Sequence, residues 1–216
     1  MKSIKIDFVS DIACPWCAVG LAALEQAIDS VKEEVQVELH FQPFELNPAM
    51  PPEGQDIVEH LSQKYQMTAE QVAQNQEHIR QSGAEVGFTF NMEGRKRTYN
   101  TFDAHRLLHW AELEGQPGQQ QGLKWALLEA YFTLGQNPSD HADLLAAVKK
   151  TGMDLERASA ILASDEYSAE VRKSEQHYQS QGIHSVPSII FNGQHLLQGG
   201  QPAAMFEQAI RQLAAA

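Results

Sequence analysis

The chain contains two cysteines, and they stand three positions apart in Cys14-Pro15-Trp16-Cys17. Before them, Ile4-Lys5-Ile6-Asp7-Phe8-Val9 alternates apolar and polar residues and is rich in β-branched side chains, the pattern of a strand. After them, Val19, Leu21, Leu24, Ala27, Ile28 and Val31 recur at helical spacing. The pair therefore falls at a strand-to-helix junction, with Pro15 suited to a first helical turn that needs no N–H there.

On such a turn, Cβ atoms three apart lie about 5–6 Å from each other, near enough for a disulfide after slight tightening. Cys14 is expected at the exposed end, where free N–H groups and the positive helix pole favour a thiolate and make it the attacking sulfur. Cys17, one turn in, is expected to be shielded and to resolve a mixed disulfide. Two rivals stand beside redox chemistry: an inert structural disulfide, and half of a metal site. Tetrahedral zinc needs two more ligands, and the chain has no second CxxC to supply them.

The chain as a whole narrows the function classes. Its 216 residues suit one domain with an insertion or two small domains, and a hydrophobic fraction of 43% provides for a buried core. A formal charge of −12 argues against nucleic acid or an anionic membrane surface as partner, since both need clustered Lys and Arg. Met1-Lys2-Ser3 leads straight into the first strand, with no apolar leader and no long apolar run. The expectation is a cytoplasmic protein, in which a thiol pair is transient or catalytic.

Val35-Gln36-Val37-Glu38-Leu39-His40-Phe41 is a second strand, completing a right-handed βαβ unit with parallel strands. Pro43 to Pro52 reads as a loop, whose Phe44, Leu46 and Met50 either pin it to the core or line a groove beside the thiols. A helical block follows over 56–181, including a capping box at Thr68-Ala69-Glu70-Gln71, a break at Gly83 and Gly87, and a short extended piece at Phe88–Met92. Glu93-Gly94-Arg95-Lys96-Arg97 reads as a solvated basic turn. His105 and His109, four apart, are a metal pair or, preferably, one core and one solvent-facing histidine. The helix over 120–134 has little polar face and should be central. Ser185 to Leu197 is then a hairpin about Asn192-Gly193, and a last helix covers 204–213. Pro187 opens its strand, as a residue without a ladder donor should. In this order it comes close to Cys14, and a cis Val186–Pro187 bond would present an extended edge to a substrate strand.

The Cys14-Pro15-Trp16-Cys17 junction, the helical insertion, Val186-Pro187, Asn192-Gly193 and Gly199-Gly200 together resemble the DsbA-like branch of the thioredoxin superfamily. Phe8-Val9-Ser10-Asp11-Ile12-Ala13 before the cysteines, Gly20 after them, and Ala104-His105-Arg106-Leu107 are similar to its FrnE-type subfamily. That subfamily is grouped with 2-hydroxychromene-2-carboxylate isomerases and kappa-class glutathione transferases. The resemblance implies an α/β thioredoxin-like fold with a mixed sheet, built from residues 1–55 and 182–216, and a helical insertion at 56–181. It also implies a thiol–disulfide oxidoreductase or isomerase, with Cys14 as nucleophile, Cys17 resolving and Pro187 as the cis-proline. Pro15, Trp16, Val186 and His105 are the substrate-binding residues so implied. No cofactor or metal is expected. The partners expected are protein or small thiol and disulfide substrates, with glutathione a candidate, and the chain is a monomer or homodimer. The transferases and isomerases carry serine where Cys14 stands, so two cysteines favour dithiol exchange. The alternatives are a glutathione-dependent transferase or isomerase on a small hydrophobic, polyketide-like substrate, and a chaperone or adaptor. Exported DsbA enzymes have a histidine between the cysteines; Trp16 here points to a middling potential within a span of about −270 to −120 mV.

Overall fold

The structure, a computed structural model, describes residues 2–215. In chain order its elements are β1 (Lys2–Ser10), α1 (Pro15–Val31), β2 (Val35–Pro43), a two-residue β3 (Gln55–Asp56), α2 (Ile57–Tyr65) and α3 (Ala69–Glu85). A two-residue β4 (Arg97–Thr98) precedes α4 (Phe102–Glu114), α5 (Gln119–Phe132), α6 (His141–Lys150), α7 (Leu155–Leu162) and α8 (Ser168–Ser180). The chain closes with β5 (Ser188–Phe191), β6 (His195–Gln198) and α9 (Ala203–Ala215).

The main sheet has the order β2-β1-β5-β6. β1 runs parallel to β2 and antiparallel to β5, with Phe8 opposite both Phe41 and Ile189. This is the mixed α/β sheet expected, and β1 lies inside it. Ile4, Ile6 and Phe8 enter the main core with Ile189 and Phe191, while Val9 joins Phe44, Tyr178, Ile183 and Ile190 in a smaller cluster. From Asp7 to Ser10 every β1 residue is buried, as a strand covered on both faces must be. The C-terminal end of this strand delivers the cysteines.

α1 packs on α9, and α5 packs on α1, α4, α6 and β2. α5 buries Leu123, Leu127, Leu128, Tyr131 and Phe132. At about 1.5–3 kcal/mol for each large apolar side chain removed from water, packing outweighs the weak helix propensity of its Gly122, Tyr131 and Phe132. The apolar cluster is continuous from β1 and α1 through α4, α5, α6 and α7.

Two local expectations are corrected. α3 does not break at Gly83 but continues to Glu85, and Phe88–Met92 forms no strand. Phe88 and Phe90 turn inward as an aromatic pair 4.7 Å apart, with Phe90 against Phe132 and Phe88 against Trp125. A Cβ on Gly83 would meet the Phe90 ring at 2.4 Å, so the glycine is there for close approach, not to end the helix. The capping box at Thr68 forms in both directions, Gln71 N–H to Thr68 Oγ1 and Thr68 N–H to Gln71 Oε1. Asn192 and Gly193 both adopt positive φ, and Gln194 N–H bonds to the Phe191 carbonyl at 3.0 Å, the turn that Asn-Gly favours. Asn192 also fastens the hairpin to β1, accepting from Lys5 N–H at 3.0 Å.

Candidate active site

Cys14 is the N-cap of α1 and Pro15 its first residue. Both thiols are free. The Cys17 N–H bonds to the Cys14 carbonyl at 3.1 Å, and the Cys14 Sγ donates to the Val186 carbonyl at 3.5 Å. The Cys14 thiol is held below its ordinary pKa, first by a hydrogen bond from the Cys17 side chain, then by the backbone N–H groups of Cys17 and Trp16. Burial and the Asp11 carboxylate oppose this. The Cys17 thiol is pushed well above its ordinary value, first by burial and then by Cys14. The two sulfurs therefore differ in the sense that a nucleophile and its resolving partner require. One expectation fails: Cys14 is not at an exposed end but only 5% exposed. Val186, from the loop before β5, lies against it.

The Val186–Pro187 peptide bond is cis. A Cβ on Gly20 of α1 would stand 3.1 Å from Pro187 Cγ and 3.2 Å from Gly200 Cα. Gly20 and Gly200 are thus the places where α1, the Pro187 segment and the end of β6 approach closely, leaving Cys14 and Val186 side by side.

These residues form one wall of a cavity of about 780 Å³. Pro15 and Trp16 line it, and Trp16 packs against His78 of α3 with ring centroids 5.4 Å apart and the planes tilted by 55°. Phe44 and Leu46 line it too while also packing into the core, so both readings of that loop hold; Met50 does not reach it. The opposite wall comes from α2 and α3, with Ile57, Leu61 and Ile79. Its cations are Lys64 and Arg95. Lys64 is anchored to Leu46 O at 2.8 Å and Asn47 Oδ1 at 2.7 Å. Burial lowers its pKa, against the pull of Asp11 and Cys14.

Arg95 corrects the reading of a solvated basic turn. It is 7% exposed, its guanidinium lies 4.9 Å from the ring centroids of both Tyr131 and Phe132, and it reaches the Ala13 carbonyl at 3.5 Å. Two aromatic faces replace much of the hydration a surface arginine would have. Arg97 bonds the carbonyls of Glu53 and Gly54 instead.

His105 is 2% exposed and does not line the cavity. Its Nε2 lies 3.5 Å from Asp11 Oδ1, inside ion-pair range but too long for a good hydrogen bond, and it has no hydrogen-bond partner among the described residues. His109 packs on Tyr167 instead, so the two histidines do not converge. Asp11 sits at the turn between β1 and α1 and accepts from Ala13 N–H, Leu46 N–H and the Thr101 hydroxyl at 3.1, 2.7 and 2.7 Å. His105 and these donors overcome burial and hold its carboxyl below the usual range. Lys124 of α5 is wholly buried, and its pKa is lowered to about 8 by burial. Motif reasoning gave Asp11, Thr101, Arg95 and Lys124 no role. Only Lys124 carried a signal, as the lone cation of a helix with little polar face.

Residues 5–211 match the DsbA-like thioredoxin domain. A crystal structure of a probable DsbA oxidoreductase from Streptomyces coelicolor is similar at a TM-score of 0.86 and 30% identity, over 97% of this chain and 89% of that one. The YwbO protein of Bacillus subtilis (strain 168) is 28% identical over 96% of both chains. The cytosolic disulfide reductase DsbM from Pseudomonas aeruginosa, solved with GSH, shares the fold at a TM-score of 0.65 and 17% identity, over 97% of this chain and 98% of its own.

Proposed function

The chain belongs to the DsbA-like thioredoxin-domain family, and from that premise we propose that it performs dithiol–disulfide exchange through Cys14 and Cys17. The observation that carries the reading is the placement of the pair on the first turn of α1, with Cys14 lining the cavity, Cys17 wholly buried one turn in, and their thiols tuned in opposite directions: Cys14 down, Cys17 up. The Cys14 thiolate attacks a substrate disulfide R–S–S–R′; one sulfur becomes bonded to Cys14 and R′S⁻ departs. The Cys17 thiolate then attacks Cys14 Sγ, expels RS⁻ and leaves a Cys14–Cys17 disulfide, so the substrate gains the two electrons that the protein loses. The reverse sequence oxidises a dithiol. The Val186 carbonyl beside Cys14 offers a main-chain acceptor to a peptide partner, and Pro187 shapes that edge.

The substrate occupies the cavity that Cys14, Pro15 and Trp16 line. Glutathione disulfide and peptide disulfides are the candidates, supported by a volume of about 780 Å³, by Lys64 and Arg95 at the wall, and by the GSH in the DsbM structure. The test is turnover of glutathione disulfide and of insulin by the unaltered protein and by Cys14→Ser. Loss in the variant is expected, and retention of most activity refutes the reading. A glutathione-dependent isomerase is the second reading, favoured by the apolar wall from Ile57, Leu61 and Ile79. It predicts activity on a small apolar substrate that survives Cys17→Ser, whereas disulfide exchange requires Cys17.

A further inference from the structure

Resolution by Cys17 has an unmet chemical requirement. Its thiol is wholly buried and must lose a proton before it can attack. Asp11 is badly suited to take it: three donors already occupy the carboxylate, and its basicity is reduced below that of an ordinary aspartate. Lys124 has the opposite properties. It comes from α5, which packs directly on α1, and no part of its side chain reaches solvent. Its Nζ makes no hydrogen bond to any described residue. Among the groups acting on Cys17 it is the cation that favours the thiolate.

We infer that Lys124 is the proton acceptor for Cys17 in the resolving step, a role that rests on the dithiol reading above. Neutral Lys124 takes the Cys17 proton, giving an ammonium beside a thiolate inside the protein. The thiolate attacks Cys14 Sγ, the mixed disulfide breaks, and the departing thiolate leaves Cys14 bonded to Cys17. The ammonium then returns its proton to the departing sulfur or to solvent. No further oxidant or reductant is needed. A lysine amine is an effective base near neutral pH only when burial disfavours its charged form. Burial does so here, bringing it to about 8. The titratable groups that face it are Cys17, Asp11 and Cys14. Of the other elements packed on α5, α4 brings His105, which stands against Asp11; α6 buries Leu144, Ala147 and Val148. On β2, His40 is paired with Glu112.

The two chemical steps separate in a single-turnover reaction of the reduced protein with an aryl disulfide whose thiolate product is coloured. Capture by Cys14 releases the first equivalent, and resolution by Cys17 releases the second. In the unaltered protein the second rate should rise with pH and level off near 8. In Lys124→Met and in Lys124→Gln the second phase at pH 7 should slow by about tenfold or more and lose that inflection, while the first phase changes by less than about twofold. Lys124→Arg supplies a charge that cannot act as a base, so it should not rescue the rate. A second phase in Lys124→Met with unaltered rate and inflection overturns the inference. So does rescue by arginine, which would make the role one of charge alone. A second phase in the unaltered protein without an inflection near 8 overturns it independently of how any variant folds. Failure of the dithiol reading looks different: the second equivalent never appears in the unaltered protein, or the first persists in Cys14→Ser, and the inference falls with it.

Discussion

At the outer ends of α4 and α7, Arg157, Glu114, Glu166 and Tyr167 form a half-exposed network in which each charge is answered. Arg157 donates to Glu166 through Nη1 and Nη2 and to Glu114 through Nε and Nη2, while Glu114 also accepts from Tyr167 and Trp110. Around the cysteines the reverse holds. Arg95 Nε, His105 Nε2, Lys124 Nζ and Glu175 Oε1 are the buried side-chain atoms without a hydrogen-bond partner among the described residues. Three of them belong to residues grouped round the thiols, and Glu175 is acted on by His105. The surface network is better satisfied but works in water, where each interaction is screened to a small value. The inner shell is poorly satisfied and lies where a charge acts strongly on its neighbours. The proposed dithiol exchange needs the second kind of environment, because two equal thiols at equal pKa could not divide the labour of attack and resolution.

The sharpest way to break that contrast is to remove the tuned sulfur. Cys14→Ser should lower disulfide turnover by about a thousandfold or more, since a serine hydroxyl at neutral pH is no thiolate. Steady-state assays with insulin or glutathione disulfide measure it.

The next effect concerns stability. The Lys124 pKa, at about 8, lies below the ordinary 10.5. Between these values the unfolded chain binds more protons, so this group's penalty on folding is full below pH 8 and fades as pH rises to 10.5. Lys124→Met should therefore stabilise the protein by about 3 kcal/mol at pH 7, a gain that shrinks across that window. Urea unfolding at pH 7 and pH 10 checks the sign. A variant more stable yet slower to resolve would show that the buried amine is kept for function, against the interest of stability.

Trp16→His should shift the dithiol potential upward by about 30–60 mV, because an imidazole can stabilise the reduced thiolate in a way the indole cannot. Equilibration in glutathione buffers reads this directly, and a downward shift would refute it. The smallest effect belongs to the surface. Glu114 is held down to about 2 by Arg157, then Tyr167 and Trp110. Its stabilisation is present above the unfolded carboxylate range and is lost as pH falls towards 2. Arg157→Ala should nevertheless change stability by no more than about 1 kcal/mol at neutral pH, owing to solvent screening. A larger loss in urea unfolding would erase the distinction between the two regions.

Much of the molecule was legible from local chemistry. Alternation in Ile4–Val9 and Val35–Phe41, helical spacing after Cys17, the Thr68 capping box and the Asn192-Gly193 turn each record interactions among residues close in sequence. Reading failed where a residue's meaning depended on what distant chain brought to it. Gly83 has the local signature of a helix break, but its lack of a Cβ serves the Phe90 ring that lies against it. Arg95 read as solvated until Tyr131 and Phe132 supplied its two faces.

The sequence by itself determined the chemistry available: a thiol pair on the first turn of a helix, with Pro187 returning on a later strand. Hydrophobic periodicity and turn propensity act over a few residues and are therefore written locally. Only the tertiary structure decided that Cys14 is nearly closed off, that Asp11, His105 and Lys124 gather behind the thiols, and that the two sulfurs are tuned apart. Those outcomes depend on burial and on charges contributed by the β1–α1 turn, α4 and α5 together. Electrostatic energy in a low-dielectric interior depends on distance through space, which spacing along the chain does not encode.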